Sequence, residues 1–184
     1  SAVNSINWAR LMPQIVYYFS AALALGAPGR KVAFSVPTGN FGNVFAGYVA
    51  MRMGLPVERL IVASNSNDIL TRFFEQGAMQ RDVVTPSLSP SMDIQVSSNF
   101  ERLLFELMDR DGVAVAGIMD RFAETGRFEL PDSAMKAAHR HFSAYRLDDA
   151  GTLAEIAASM EIDGMGLDPH SAVGVSAARR AIAD

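Results

Sequence analysis

Apolar residues are dense from Trp8 to Leu25, and the run closes at Gly26 and Gly29 around Pro28, a helix stop signal. Pro13 falls inside it, so the pattern predicts a helix that either kinks there or is re-formed with Pro13 in its first turn. Lys31 to Val36 (KVAFSV) is short, β-rich and bounded by turn residues, and reads as a buried strand. Gly42 to Met53 reads as a helix, Arg59 to Ala63 (RLIVA) as a second strand and Asp68 to Gln76 as a second crossover helix. Strand, glycine turn, helix, strand, helix is the text of a βαβ unit, which implies a parallel sheet. Residues 83–98, rich in Ser, Thr and Pro, break the rhythm; a loop of that length is either a surface excursion or functional. Ser98 and Glu101 form the pattern of a capping box opening a helix to Met108. Further helices are expected from Val113 to Glu124, from Asp132 to His141, from Asp148 to Met160 and from Pro169 onward, with a third strand at Phe142 to Leu147. The fold class expected is α/β: one domain over 1–184, an open, mostly parallel sheet with helices on both faces, and a mostly helical excursion at about 97–141.

Composition narrows the classes. The apolar fraction of 49% and the charged fraction of 20% are those of a globular chain. Net charge is −4 and no basic cluster exceeds Arg179 and Arg180, a poor footprint for nucleic acid. With no cysteine, thiolate nucleophiles and Cys-ligated metals are excluded. The apolar stretch Ile15 to Leu25 is too short for a membrane span, so a soluble, cytoplasmic protein is expected. Fourteen of the 16 basic residues are arginine, leaving only Lys31 and Lys136 for any lysine chemistry. The chain opens on Ser1, which suggests a processed protein or a piece of a longer one.

The sharpest chemical feature is VPTGNFGN, Val36 to Asn43, between a predicted strand and a predicted helix. Gly39 and Gly42 let main-chain amides approach a ligand, and the following helix turns its free N–H groups and positive dipole end to the same spot. The result is an anion cradle with phosphate as the natural guest. It is neither a Walker loop nor a three-glycine dinucleotide loop. Two glycines after a strand also serve plain packing; the polar Thr38, Asn40 and Asn43 favour phosphate.

TGNFGN resembles the phosphate loop of pyridoxal-phosphate enzymes of the tryptophan-synthase-like type (fold type II). The wider text, NSINWARLMPQIVYYF, VPTGNFGNVFAGYVAMRMGLPVERLIVASNSNDIL, SPSMDIQVSSNFERLLFEL and DPHSAVG, is similar to the threonine synthase family in order from Asn4 to about Ala178. The resemblance implies part of the family's large cofactor-binding domain. It implies a lyase that converts O-phospho-L-homoserine and water to L-threonine and phosphate with pyridoxal 5'-phosphate. Gly39, Asn40, Phe41, Gly42 and Asn43 match the cofactor-phosphate loop, while Asn4, Ser5 and Arg10 resemble residues that meet the substrate phosphate. The family's Schiff-base lysine stands in a Phe-Lys-Asp context upstream of the loop, which neither Lys31 nor Lys136 matches. The expectation is therefore an internal fragment that is inactive alone, with no catalytic residue of its own.

Other candidates have plainer readings beside them. Asn4 and Ser5 could cap a helix, with Arg10 in solvent. Asn65, Asn67 and Asp68 lie on the carboxyl edge of the sheet, where α/β folds bind ligands, although Asp68 is also a helix cap. Ser89, Ser91 and Asp93 could face the site from the long loop, with no role assigned. Asp168 and His170 are too few for a metal site and fit a helix start through Asp168 and Ser171; His139 and His141, two apart, would not chelate together. No metal is expected. Two other readings stay open: another fold-type II enzyme such as a hydroxyamino-acid dehydratase, and a non-catalytic α/β module binding a nucleotide or phosphorylated metabolite.

Overall fold

The computed structural model describes residues 7–183. Helix α1 (Trp8–Ala24) is capped by Asn7, whose side chain accepts from the N–H of Ala9, and it runs through Pro13 beyond its first turn. Strand β1 (Val32–Pro37), helix α2 (Gly42–Arg52), strand β2 (Val57–Ser64) and helix α3 (Ile69–Gln76) follow as the expected βαβ unit. Strand β3 is Ala78–Gln80, and a single 3-10 turn interrupts the loop that leads to α4 (Phe100–Leu107). Then come α5 (Gly112–Thr125), β4 (Arg127–Glu129), α6 (Asp132–His139), β5 (Phe142–Arg146), α7 (Asp149–Asp163) and α8 (Pro169–Ala183).

The main sheet is parallel, in the order β1-β2-β5, and β3 pairs with β4 in a separate antiparallel ribbon. The α/β expectation with a parallel sheet holds. Strand alternation assigns the two faces. Leu60 and Val62 of β2 turn to the core shared with α1, α2 and α4, while Ile61 and Ala63 turn to Val173 and Ala177 of α8. Both faces are covered, which is why RLIVA reads as a continuous apolar run.

Three local expectations fail. The ribbon has no counterpart among the predicted strands, because AMQ and RFE are too short to show a period. The capping box does not form: Asn99, not Ser98, stands at the N-cap of α4, and no side chain caps that helix. Asp68 likewise makes no cap to α3. It is held instead between Arg72 Nε (2.8 Å) and an Arg146 terminal nitrogen (2.9 Å), joining α3 to the end of β5.

Helix α1 lies close against α2 because Gly47 has no side chain. A Cβ there would stand 2.6 Å from the Tyr18 ring and 2.9 Å from Leu60. Tyr18 cannot swing away freely, since its hydroxyl is bonded to Asn43. In an ordinary helix interior Gly→Ala stabilises by about 1 kcal/mol. Gly47→Ala is expected to do the opposite, lowering stability by about 1–3 kcal/mol through overpacking, as read by chemical denaturation. A more stable variant would show that the α1–α2 contact is loose.

Candidate functional site

The segment between β1 and α2 turns on Phe41, whose φ of 62° is left-handed, while Gly39 and Gly42 are absent from the positive-φ glycines. The bend therefore rests on an aromatic residue, and the glycines serve close approach. A Cβ on Gly39 would lie 2.8 Å from the carbonyl oxygen of Ser91, and one on Gly42 would lie 3.3 Å from Asn99 Nδ2. The Phe41 ring is buried, edge-on to Phe100 at 5.1 Å and tilted against Phe142 at 5.9 Å. What Phe41 can offer a ligand is main chain.

Among the described residues, no hydrogen bond is made by the main-chain N–H groups from Gly39 to Asn43. Their carbonyls are occupied. Ser97 Oγ donates to the Gly39 oxygen (2.8 Å), and Asn99 donates to the Asn40 oxygen. Thr38 is tied back by its own N–H to the Ala63 carbonyl (2.8 Å) and by its hydroxyl to the Val36 carbonyl. Tyr18 fixes Asn43, its hydroxyl hydrogen lying between the Asn43 carbonyl (2.9 Å) and side-chain oxygen (2.7 Å); burial pushes the Tyr18 phenol pKa up. Unbonded donors at the start of an 11-residue helix form an anion-binding concavity. They border a cavity of about 480 Å³, whose opposite wall is α1, with Arg10, Gln14 and Tyr17. The structure thus brings Arg10 and the loop Gly39 to Asn43 together around one cavity; Asn4 and Ser5 lie outside the described residues.

The other candidates are structural. Asp93 is the hub of a polar network. Its Oδ1 accepts from Asn65 Nδ2 (2.8 Å), Asn67 Nδ2 (2.9 Å) and Ser87 Oγ (2.6 Å), and its Oδ2 accepts from the Ser87 N–H (2.9 Å). Ser89 is buried beside Asn65, which donates to its hydroxyl at 3.0 Å. Asn65 and Asn67 thus spend their amides holding the long loop against the sheet edge. The Ser91 N–H donates to His170 Nε2 (3.2 Å). Asp168 caps α8, accepting from the N–H groups of His170 (2.9 Å) and Ser171 (3.2 Å) and from the Ser171 hydroxyl. His139 contacts the Phe74 carbonyl, while His141 sits edge-on to Tyr48 with its pKa lowered, first by burial and then by nearby arginines. Among the described residues no metal-binding cluster exists. No helix there is long and apolar enough to cross a membrane. Sequence reading missed Tyr18, Ser97 and Asn99; the polar triplet 97–99 was the available signal, and it resembled a cap.

A threonine synthase from Pseudomonas aeruginosa is 58% identical over 178 residues, covering 97% of this chain and 38% of that protein. The crystal structure of PLP-bound threonine synthase from Brucella melitensis matches with a TM-score of 0.97 at 57% identity, covering 98% of this chain and 39% of that one. The chain resembles threonine synthases throughout, in sequence and in fold. No family model matches it. A maize serine racemase, at 14% identity and a TM-score of 0.53 over 90% of this chain and 40% of that one, shares the fold alone. The chain spans under two-fifths of the length of the first two relatives.

The Asp168 cap generates a pH prediction. The Ser171 hydroxyl, then the Ser171 and His170 N–H groups, hold the Asp168 carboxyl below the ordinary carboxylate pKa. The folded state binds this proton less readily than the unfolded chain, so the stabilisation is present above the unfolded pKa and is lost as pH falls through the depressed one. Asp168→Asn keeps a good N-cap but removes the titration. Its stability deficit against the parent is expected to shrink as pH falls through the carboxylate range, measured by denaturant midpoints. A deficit independent of pH would assign the cap no charge-dependent part.

Proposed function

We propose that the whole protein carrying this chain is a threonine synthase, converting O-phospho-L-homoserine and water to L-threonine and phosphate. In this reading the chain supplies the cradle for the phosphate of pyridoxal 5'-phosphate. The observation that carries it is the row of unbonded N–H groups from Gly39 to Asn43 at the start of α2, bordering a cavity that Arg10 also lines. The donors fit a phosphate monoester: they are neutral, convergent and backed by a helix dipole. Arg10 reaches the cavity from α1 as a cation suited to a second phosphate, that of the substrate; the sequence resemblance adds Asn4 and Ser5 as further donors.

The roles of this chain's residues are binding and orientation. Bound in the cradle, pyridoxal phosphate would supply an electron sink for carbanion chemistry at the amino acid. The N–H groups fix where that cofactor stands; Arg10 and its neighbours fix the substrate phosphate, which is also the leaving group. Neither lysine of the chain is placed to hold the cofactor. Lys31 precedes β1, a strand of six residues, and so stands roughly 20 Å from the loop that follows it. Lys136 is exposed on α6, which packs against α3, α4 and β5. The cofactor lysine is therefore assigned to another part of the whole protein, and this chain alone is expected to be inactive.

The test is made on the whole protein. O-phospho-L-homoserine should yield threonine and phosphate, and hydroxyamino acids should not be deaminated at a comparable rate; the reverse preference would favour a dehydratase. Gly42→Val places a branched side chain against Asn99 and beside the unbonded amides. Losing two or three charge-assisted bonds costs on the order of 3–6 kcal/mol, so cofactor affinity is expected to fall by at least about a hundredfold. Arg10→Ala should leave cofactor affinity intact while raising KM for O-phospho-L-homoserine or lowering kcat. Parental kinetics in that variant would remove Arg10 from the substrate site.

A further inference from the structure

We propose that Asn99 and Ser97 are positioning residues that aim the N–H groups of the glycine loop at a bound phosphate; the proposal rests on reading that loop as the cofactor-phosphate site. In a trans peptide the C=O and the N–H of the same plane point in opposite directions. Whatever holds a carbonyl therefore aims the next amide. The Asn40 oxygen accepts both the main-chain N–H and the side-chain Nδ2 of Asn99, each at 3.1 Å, so the N–H of Phe41 is turned away from the 97–99 segment. The Gly39 oxygen accepts the Ser97 hydroxyl at 2.8 Å, so the N–H of Asn40 is turned the same way. The loop's unbonded amides border the cavity, opposite α1.

Asn99 is built for this work. It is 0% exposed and occupies the N-cap of α4, yet its side chain makes no cap to its own helix. Both ends of its amide are used elsewhere: Oδ1 accepts from Arg102 Nε at 3.1 Å, which fixes the flip and leaves Nδ2 facing the Asn40 carbonyl. Gly42 gives it room, because a Cβ there would come within 3.3 Å of Nδ2. A buried polar residue that gives up its cap to bond the neighbouring loop holds the donors in place before the ligand arrives. Binding then carries no cost of reorienting peptide planes. The ligand class served is a phosphate monoester.

Asn99→Ala and Ser97→Ala in the whole protein test this by comparing equilibrium affinity for pyridoxal 5'-phosphate with affinity for pyridoxal, which lacks the phosphate. Each variant is expected to bind the phosphorylated form about tenfold more weakly. Its affinity for pyridoxal should change by less than about twofold, and inorganic phosphate should compete less well than in the parent. A parent that prefers the phosphorylated form, with variants that keep the full preference, overturns the positioning role and leaves the cradle standing. Equal losses for both compounds overturn it too, assigning the residues to general stability. A parent with no preference overturns the cradle reading itself. Should Asn99→Ala fail to fold, Ser97→Ala carries the same expectation and is overturned by the same results.

Discussion

The site's geometry depends on one residue held where its backbone would not choose to be. Phe41 adopts φ 62°, a region a bulky residue enters at a cost of about 1–3 kcal/mol. Its ring is 1% exposed between Phe100 and Phe142, and full burial of such a side chain contributes about 1.5–3 kcal/mol, enough to offset the strain. The ring is the anchor and the left-handed bend is the consequence. Because the contacts come from α4 and β5, the turn between β1 and α2 is set by parts of the chain remote in sequence. A packed core does not deform continuously, so the loop inherits the rigidity of the aromatic cluster behind it.

The long loop 81–99, the least regular stretch of the chain, supports this arrangement from behind. Asp93 takes up amides from Asn65 and Asn67 and both donors of Ser87, which locks the loop onto the carboxyl edge of β2. The half-buried side chain thus gathers four hydrogen bonds from three residues. Ser91 then packs its carbonyl against Gly39. A charged residue and a serine in a polar loop read as surface text, yet with two amides at the sheet edge they form a rivet between layers.

What was legible follows from range. The βαβ core announced itself through β-rich runs and glycine stops, since both are set by neighbours in the chain, and the cradle was visible as glycines between a strand and a helix. Phe41 was not legible as the bend, because a sequence assigns unusual φ values to glycine by default. Asn99 looked like part of a cap because side-chain competition between a helix start and a distant carbonyl leaves no local trace. Asp68 misled for a similar reason: besides Arg72 on its own helix, its partner Arg146 lies far along the chain, on β5. The ribbon of β3 and β4 escaped because three residues cannot display an alternation.

The strand order has a consequence for how the chain comes to its shape. Strands β1 and β2 are joined by a short crossover, but β2 must wait for β5, with Leu60 finding Phe142 and Ser64 finding Arg146. Closing so large a loop is entropically slow, and such distant pairings set folding speed more than stability. Among the described residues, the outer edge of β2 finds its partner only in β5. The apolar row Ile61 and Ala63 takes its cover from Val173 and Ala177 of α8, also remote in sequence. Until those distant partners are in place, the sheet has an open edge and a greasy face, the kind of surface on which chaperones act.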